Sequence, residues 1–163
     1  MQKLIFLDID GVLNVETYHY LEENDIWVCP EAGDKEFPLL YGDQPLNSRC
    51  LKNLQTLVDN TRADIVISSS WRILYPISSL SKMFKEVGLN INIIGQTRNL
   101  PNCIRGEEIA LYLADNADNN LNYVILDDST DFHDWQLQYF VNTDPGFGLS
   151  EIDVTKATEI LNG

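Results

Sequence analysis

Apolar residues in this chain fall in short unbroken runs separated by stretches with a helical period. Leu4-Ile5-Phe6-Leu7 runs without a polar interruption into Asp8, the pattern of a central parallel strand covered on both faces. Asp64-Ile65-Val66-Ile67-Ser68 and Tyr123-Val124-Ile125-Leu126-Asp127 repeat it. Ile91-Asn92-Ile93-Ile94 predicts a short strand, and Gln138 to Val141 an edge strand. Between these runs the period changes. Leu51, Leu54, Leu57 and Val58 share one face of a helix that starts from a cap at Asn47 or Ser48 and runs to about Asn60. A second helix spans Ile77 to Val87 and stops at Gly88. A third runs from Arg105 to about Asp115, with Ile109, Leu111, Tyr112 and Leu113 as its apolar set. Its first turn carries Glu107 and Glu108, the sign favoured at a helix N-terminus. A last helix covers about Glu151 to Leu161.

Strands alternating with helices predict an α/β fold with a parallel sheet of about five strands. In such sheets ligands bind beyond the carboxyl ends of the strands. Asp8, Ser68 and Asp127 all sit at such ends, so one geometric rule brings three distant segments together. Residues 14–46 break the pattern. They hold Pro30, Gly33, Pro38, Gly42 and Pro45, with Tyr18, Tyr20, Trp27, Phe37 and Tyr41 between them. A stretch that long and irregular reads as a flap over a site, with a short hairpin around Asp25 to Cys29. Most of its aromatics serve to pack the loop; Trp27 is the candidate substrate contact.

Composition narrows the choice. The 163 residues, 44% hydrophobic and 10% aromatic, predict one folded domain spanning 1–163. No apolar run approaches the roughly 20 residues that cross a bilayer, and no signal-peptide pattern opens the chain. Cys29, Cys50 and Cys103 are scattered and far from His19 and His133, so they read as reduced thiols of a cytoplasmic protein. The net charge of −14 lowers the expectation of a polynucleotide ligand without excluding a local basic pocket. Nothing in the pattern calls for an obligate protein partner or a membrane.

The chemistry lies at the strand ends. Asp8 and Asp10 leave the first strand just before Gly11, and Asp127 and Asp128 leave a later one. Four carboxylates brought together cannot all stay ionised without a cation. A site of oxygen donors lacking Cys and His suits a hard ion, Mg²⁺ before Ca²⁺ or Zn²⁺. Ser68-Ser69-Ser70 follows a strand end, where hydroxyls and backbone N–H groups can hold an anion; alone, three serines would equally make a turn and a helix cap. Arg105 could bring a cation to the same pocket or pair with Glu107 or Glu108 on the surface. Arg72, Arg98, Lys82 and Lys85 are its rivals, and Arg72, just after the serines, is the foremost of them.

Asp8-Ile9-Asp10-Gly11-Val12-Leu13 resembles the DxDGxL signature of the haloacid-dehalogenase-like (HAD) phosphatases. Ser68 after Ile65-Val66-Ile67 is similar to their second motif, Arg105 to their basic third, and Asp127-Asp128 to the DD form of their fourth. The surrounding runs, Ser68-Ser69-Ser70-Trp71-Arg72 and Arg105-Gly106-Glu107-Glu108-Ile109 among them, look like the small HAD domains of predicted RNA-repair proteins. The resemblance implies a Rossmann-like three-layer sandwich whose 14–46 insert stands in place of a full cap domain. It also implies a Mg²⁺-dependent phosphomonoesterase. Asp8 would be the nucleophile and Asp10 the general acid and base. Asp8, the Asp10 carbonyl and one of Asp127 or Asp128 would hold Mg²⁺. Ser68, Ser69 with the adjacent amides, and Arg105 or Arg72 would bind the phosphoryl group. The substrate class stays open among nucleotides, nucleic-acid ends, sugar phosphates and phosphoproteins. Three competing readings are an idle HAD domain that binds phospho-ligands or partners, a receiver-like signalling domain, and a DxD glycosyltransferase. A receiver carries its phosphorylated Asp at a mid-chain strand end, where this chain has Ser68.

Overall fold

A computed structural model describes residues 1–15, 27–28, 46–116 and 120–163. Five parallel strands form the central sheet, in the order β5 (Ile93–Gln96), β4 (Asp64–Ile67), β1 (Gln2–Leu7), β6 (Leu121–Asp127), β7 (Phe140–Asn142). β1 lies in the middle because it is apolar on both faces. Ile5 and Leu7 enter one layer of the core and Leu4 and Phe6 the other. The first layer holds α1 (Ser48–Thr61), α3 (Ile77–Glu86) and α5 (Glu151–Asn162), through Leu54, Leu57, Leu80, Phe84, Ala157 and Leu161. The opposite layer is thinner. There α4 (Arg105–Asn116) places Ile109 against Leu4, Phe6 and Val66, and the ring of Tyr112 meets Phe6 edge-on. Each large side chain so buried contributes about 1.5–3 kcal/mol.

Registers carry this order to the functional end. Leu7 pairs with Ile67 on one side and Leu126 on the other. One residue further the ladder continues, with Ser68 N donating to Leu7 O (3.0 Å) and Asp8 N to Leu126 O (3.0 Å). Thr97 N and Thr143 N extend the row outward, to Ile67 O (2.9 Å) and Asp127 O (3.0 Å). Ser68, Asp8 and Asp127 therefore stand side by side where their strands end.

The helix α1 takes Asn47 as its cap; its side chain accepts from Arg49 N (2.9 Å) and Cys50 N (3.2 Å). Such a cap is worth about 1 kcal/mol. Three elements differ from the expectation. The strand placed at Ile91 to Ile94 runs instead over Ile93–Gln96, after an irregularity between Ile65 and Val66 in its partner. It includes Gly95, where a Cβ would come within 2.4 Å of the Tyr112 hydroxyl, so the glycine marks close packing and not the strand's end. Gln138 lies not in a strand but in a 3₁₀ turn, Asp134–Tyr139, with β7 following it. Buried Gln136 forces that turn: its amide donates to Gly106 O (3.0 Å) and accepts from His133 N (3.0 Å). The short helix α2 (Trp71–Leu74) was not foreseen.

Most of the expected flap lies outside the described residues. Within it, β2 (Trp27–Val28) pairs antiparallel with β3 (Leu46–Asn47), while the rest of the hairpin expected around Asp25 to Cys29 lies outside the described residues. The side chain of Trp27, singled out as a substrate contact, is outside the described residues too. The turn after β1 is braced from the far end of the chain. Thr143 Oγ1 donates to Gly11 O (2.9 Å) and Leu149 N to Val12 O (2.9 Å). Arg49 holds that brace, donating to Phe147 O (2.7 Å) with its guanidinium 3.8 Å over the Phe147 ring.

Candidate active site

Three carboxylates meet at the end of β1 and β6. One oxygen each of Asp8, Asp127 and Asp128 lie within 4.8 Å of one another. Asp8 and Asp127 are buried, at 4% and 0% exposure, and Asp128 is half-buried. The turn at Gly11, φ +72°, brings Asp128 against the β1 loop: a Cβ at Gly11 would lie 2.5 Å from Asp128 Oδ2. Only glycine fits both the left-handed backbone and that approach.

Arg105, the first residue of α4, reaches into this cluster. Its Nη1 lies 2.7 Å from Asp8 Oδ2 and 2.5 Å from Asp127 Oδ2. Asp131 anchors the helix start, accepting from Arg105 N through its side chain (3.1 Å) and from Gly106 N through its carbonyl (3.1 Å). Burial opposes the charge of Arg105, but Asp8 and Asp127 outweigh it and raise its pKa. Burial also pushes the Asp127 carboxyl up to about 7, helped by Asp8. Arg105 and the N–H of Ser129 pull it the other way. Positive charge is thus in demand between these acids, and Arg105 meets only part of it.

Asp10 stands outside this group, although four converging acids were expected. Its carboxylate is turned toward the β4 side, where it accepts from Asn14 Nδ2 (2.7 Å) and from Trp71 Nε1 (3.1 and 3.0 Å to its two oxygens). Ser68 is fully buried and its Oγ has no hydrogen-bond partner, an open donor and acceptor beside Asp8. Ser69 is equally buried, and its Oγ accepts from Trp71 N (3.3 Å).

Arg72 occupies a different position from Arg105. Its Nη1 donates to Ser68 O (2.5 Å) and Ser69 O (2.6 Å), its Nε to Thr97 O (3.1 Å), and its Nη2 to Glu108 Oε2 (2.5 Å). The pair with Glu108 is buried on both sides, and Glu108 Oε1 accepts from Leu100 N (2.8 Å). Burial lowers the Arg72 pKa, with Glu108 opposing it. Among the other rivals, Arg98 pairs with Asp115 on the surface (3.0 Å), and Lys82 and Lys85 lie on α3. Trp71, Asn14 and Glu108 were not singled out as site residues. The faint signals were the place of Trp71 directly after the serines and of Asn14 one turn after Asp10.

The family model for the HAD domain in Swiss Army Knife RNA repair proteins matches residues 4–154. The chain belongs to this family. The match covers all three strand ends that build the site and places this HAD domain in a superfamily of hydrolases and phosphatases. HAD domains generally use Mg²⁺, and the three-aspartate cluster offers the oxygen donors such an ion takes. Searches of curated proteins and of solved structures each found no match. Among the described residues, no helix is long and apolar enough to cross a membrane.

Proposed function

We propose that this HAD domain is a Mg²⁺-dependent phosphomonoesterase working through an aspartyl-phosphate on Asp8. The observation that carries the reading is the juxtaposition of Asp8 with Arg105, Asp127 and the unpartnered Ser68 hydroxyl at adjacent strand ends. The donor set fits Mg²⁺: it is all oxygen, partly buried, and short of positive charge. Asp8, the backbone carbonyl of Asp10, and Asp127 or Asp128 would hold the ion, which when bound would neutralise the acids and share the charge of a phosphoryl oxygen.

Asp8 attacks phosphorus through a carboxylate oxygen, which needs no separate base. The P–O ester bond breaks, its electron pair passes to the leaving oxygen, and Asp10 supplies the proton. Water then attacks the phosphorus of the aspartyl-phosphate while Asp10 takes its proton, which releases phosphate and restores Asp8. Ser68 Oγ, the neighbouring N–H groups and Arg105 bind the equatorial oxygens, where charge gathers in the transition state. To Arg72 we assign a supporting place, because its donors are engaged by backbone carbonyls and Glu108.

The family description makes phosphorylated RNA ends the first substrate class to screen, alongside nucleotides, sugar phosphates and phosphopeptides. Phosphate release with Mg²⁺ over that panel tests the reading. Asp8→Asn, nearly isosteric, should cut turnover by at least about a thousandfold with an unchanged circular dichroism spectrum. Substantial activity in that variant would remove Asp8 as nucleophile.

A further inference from the structure

We infer that Trp71 is a positioning residue for proton transfer: its indole N–H sets the orientation of the Asp10 carboxyl. The inference rests on the proposed role of Asp10 as proton donor. Asp10 is half-buried, on a loop, and would by itself rotate freely about its Cβ–Cγ bond. Here three contacts fix that rotation. Asn14 Oδ1 accepts from Gly11 N (2.9 Å), so its amide cannot be turned round and its NH₂ must face Asp10 Oδ1. The Trp71 N–H is shared almost equally between the two oxygens, at 3.1 and 3.0 Å. Whichever oxygen serves the leaving group, the other keeps a partner on Trp71.

The indole is itself held rigidly. Trp71 is 4% exposed and packs within the main core layer, its ring tilted against Tyr75 at 5.8 Å. Its backbone N donates to Ser69 Oγ (3.3 Å) and its carbonyl accepts from Tyr75 N (2.9 Å). The turn that ends β4 therefore does two things. It presents the Ser68 hydroxyl beside Asp8, and through Trp71 it sets the angle of an acid on the neighbouring loop, 61 residues away in sequence. Two parts of the site that act at different atoms of the substrate are held in fixed relation by one side chain.

A general acid matters in proportion to the basicity of the leaving group. A phenolate with electron-withdrawing substituents departs without a proton; an alkoxide does not. The experiment measures kcat/KM, which reports only steps through phosphoryl transfer to Asp8, for an alkyl phosphate and for 4-nitrophenyl phosphate. The proteins are the wild type, W71F and D10N. W71F keeps an aromatic ring and removes the N–H. It should lose roughly tenfold or more on the alkyl ester and less than roughly threefold on the aryl ester, a shallower version of the D10N pattern. Equal losses on both esters would assign Trp71 a merely structural role and overturn the inference, as would no loss on either. If W71F is poorly folded by circular dichroism, 3-benzothienylalanine at position 71 replaces the N–H by sulfur in a ring of the same size and is judged by the same ratio. A wild type that releases phosphate from neither ester nor any phosphomonoester of the panel above removes the phosphatase reading, and the inference with it. A wild type and D10N that behave as described beside a W71F without leaving-group dependence remove the inference alone.

Discussion

The turn after β4 and the first turn of α4 each bring one arginine to the carboxyl edge of the sheet. Arg72 points into protein: four of its hydrogen bonds reach backbone carbonyls, those of Ser68, Ser69, Thr97 and Arg98, and a fifth reaches Glu108. Arg105 points into the acid cluster, with Asp8 and Asp127 as its partners. One guanidinium shapes a loop; the other is left to balance charge that a metal or a phosphoryl group would change. The difference teaches that a buried cation near a site is not thereby a ligand of the site. What decides is whether its donors meet fixed backbone or titratable, exchangeable partners.

Replacing Arg72 by Met tests the first half of that contrast and should have the largest effect on stability. It strands the buried Glu108 carboxylate and leaves carbonyls unpaired, a loss of about 3–5 kcal/mol by urea denaturation. Adding Glu108→Leu should recover about 1–3 kcal/mol of it, since removing both charges is better tolerated than removing one. A double variant as unstable as the sum of the two single variants would show that the carbonyl contacts, and not the pair, dominate. Arg105→Met tests the second half. It should lower kcat/KM by about 10²–10³, the range for removing one donor to a transition-state oxyanion, while its thermal midpoint in Mg²⁺ stays close to wild type. A large fall in the midpoint with unchanged kcat/KM would reverse the two roles.

The smallest effect concerns pH. The Asp127 carboxyl, pushed up to about 7 in the metal-free protein, sits above its ordinary value near 3.8. A raised carboxyl contributes stability that is complete below about pH 4 and is lost as pH climbs through about 7. Under the proposed function Mg²⁺ would bind the ionised form, so the rise in thermal midpoint on replacing EDTA by Mg²⁺ should be larger at pH 8 than at pH 5.5, by about 2–4 °C. Equal shifts at the two pH values would place the ion away from Asp127.

Much of this was legible in the chain itself. Asp8 and Asp127 could be read as neighbours because continuous apolar runs fix parallel strands and the carboxyl-end rule does the rest. Arg105 was legible as a candidate, but its rivalry with Arg72 was not resolvable. The deciding partners of Arg72 are carbonyl oxygens, and every residue has one. Asp10 misled for a related reason. Its spacing from Asp8 suggested a fourth acid in the cluster, whereas Trp71, on another strand's turn, draws it aside. The edge elements slipped because their patterns are short. Gly95 lies inside β5 with Tyr112 packed against it, and Gln136 is fully buried in the turn before β7.

The close approach of Gly11 to Asp128 has a consequence for biosynthesis. Every acid in the cluster apart from Asp8 comes from beyond the hundredth residue. During synthesis Asp8 is therefore made before the acids that surround it in the folded molecule. The three acids can meet only once β6 has been made and has paired with a strand built more than a hundred residues earlier.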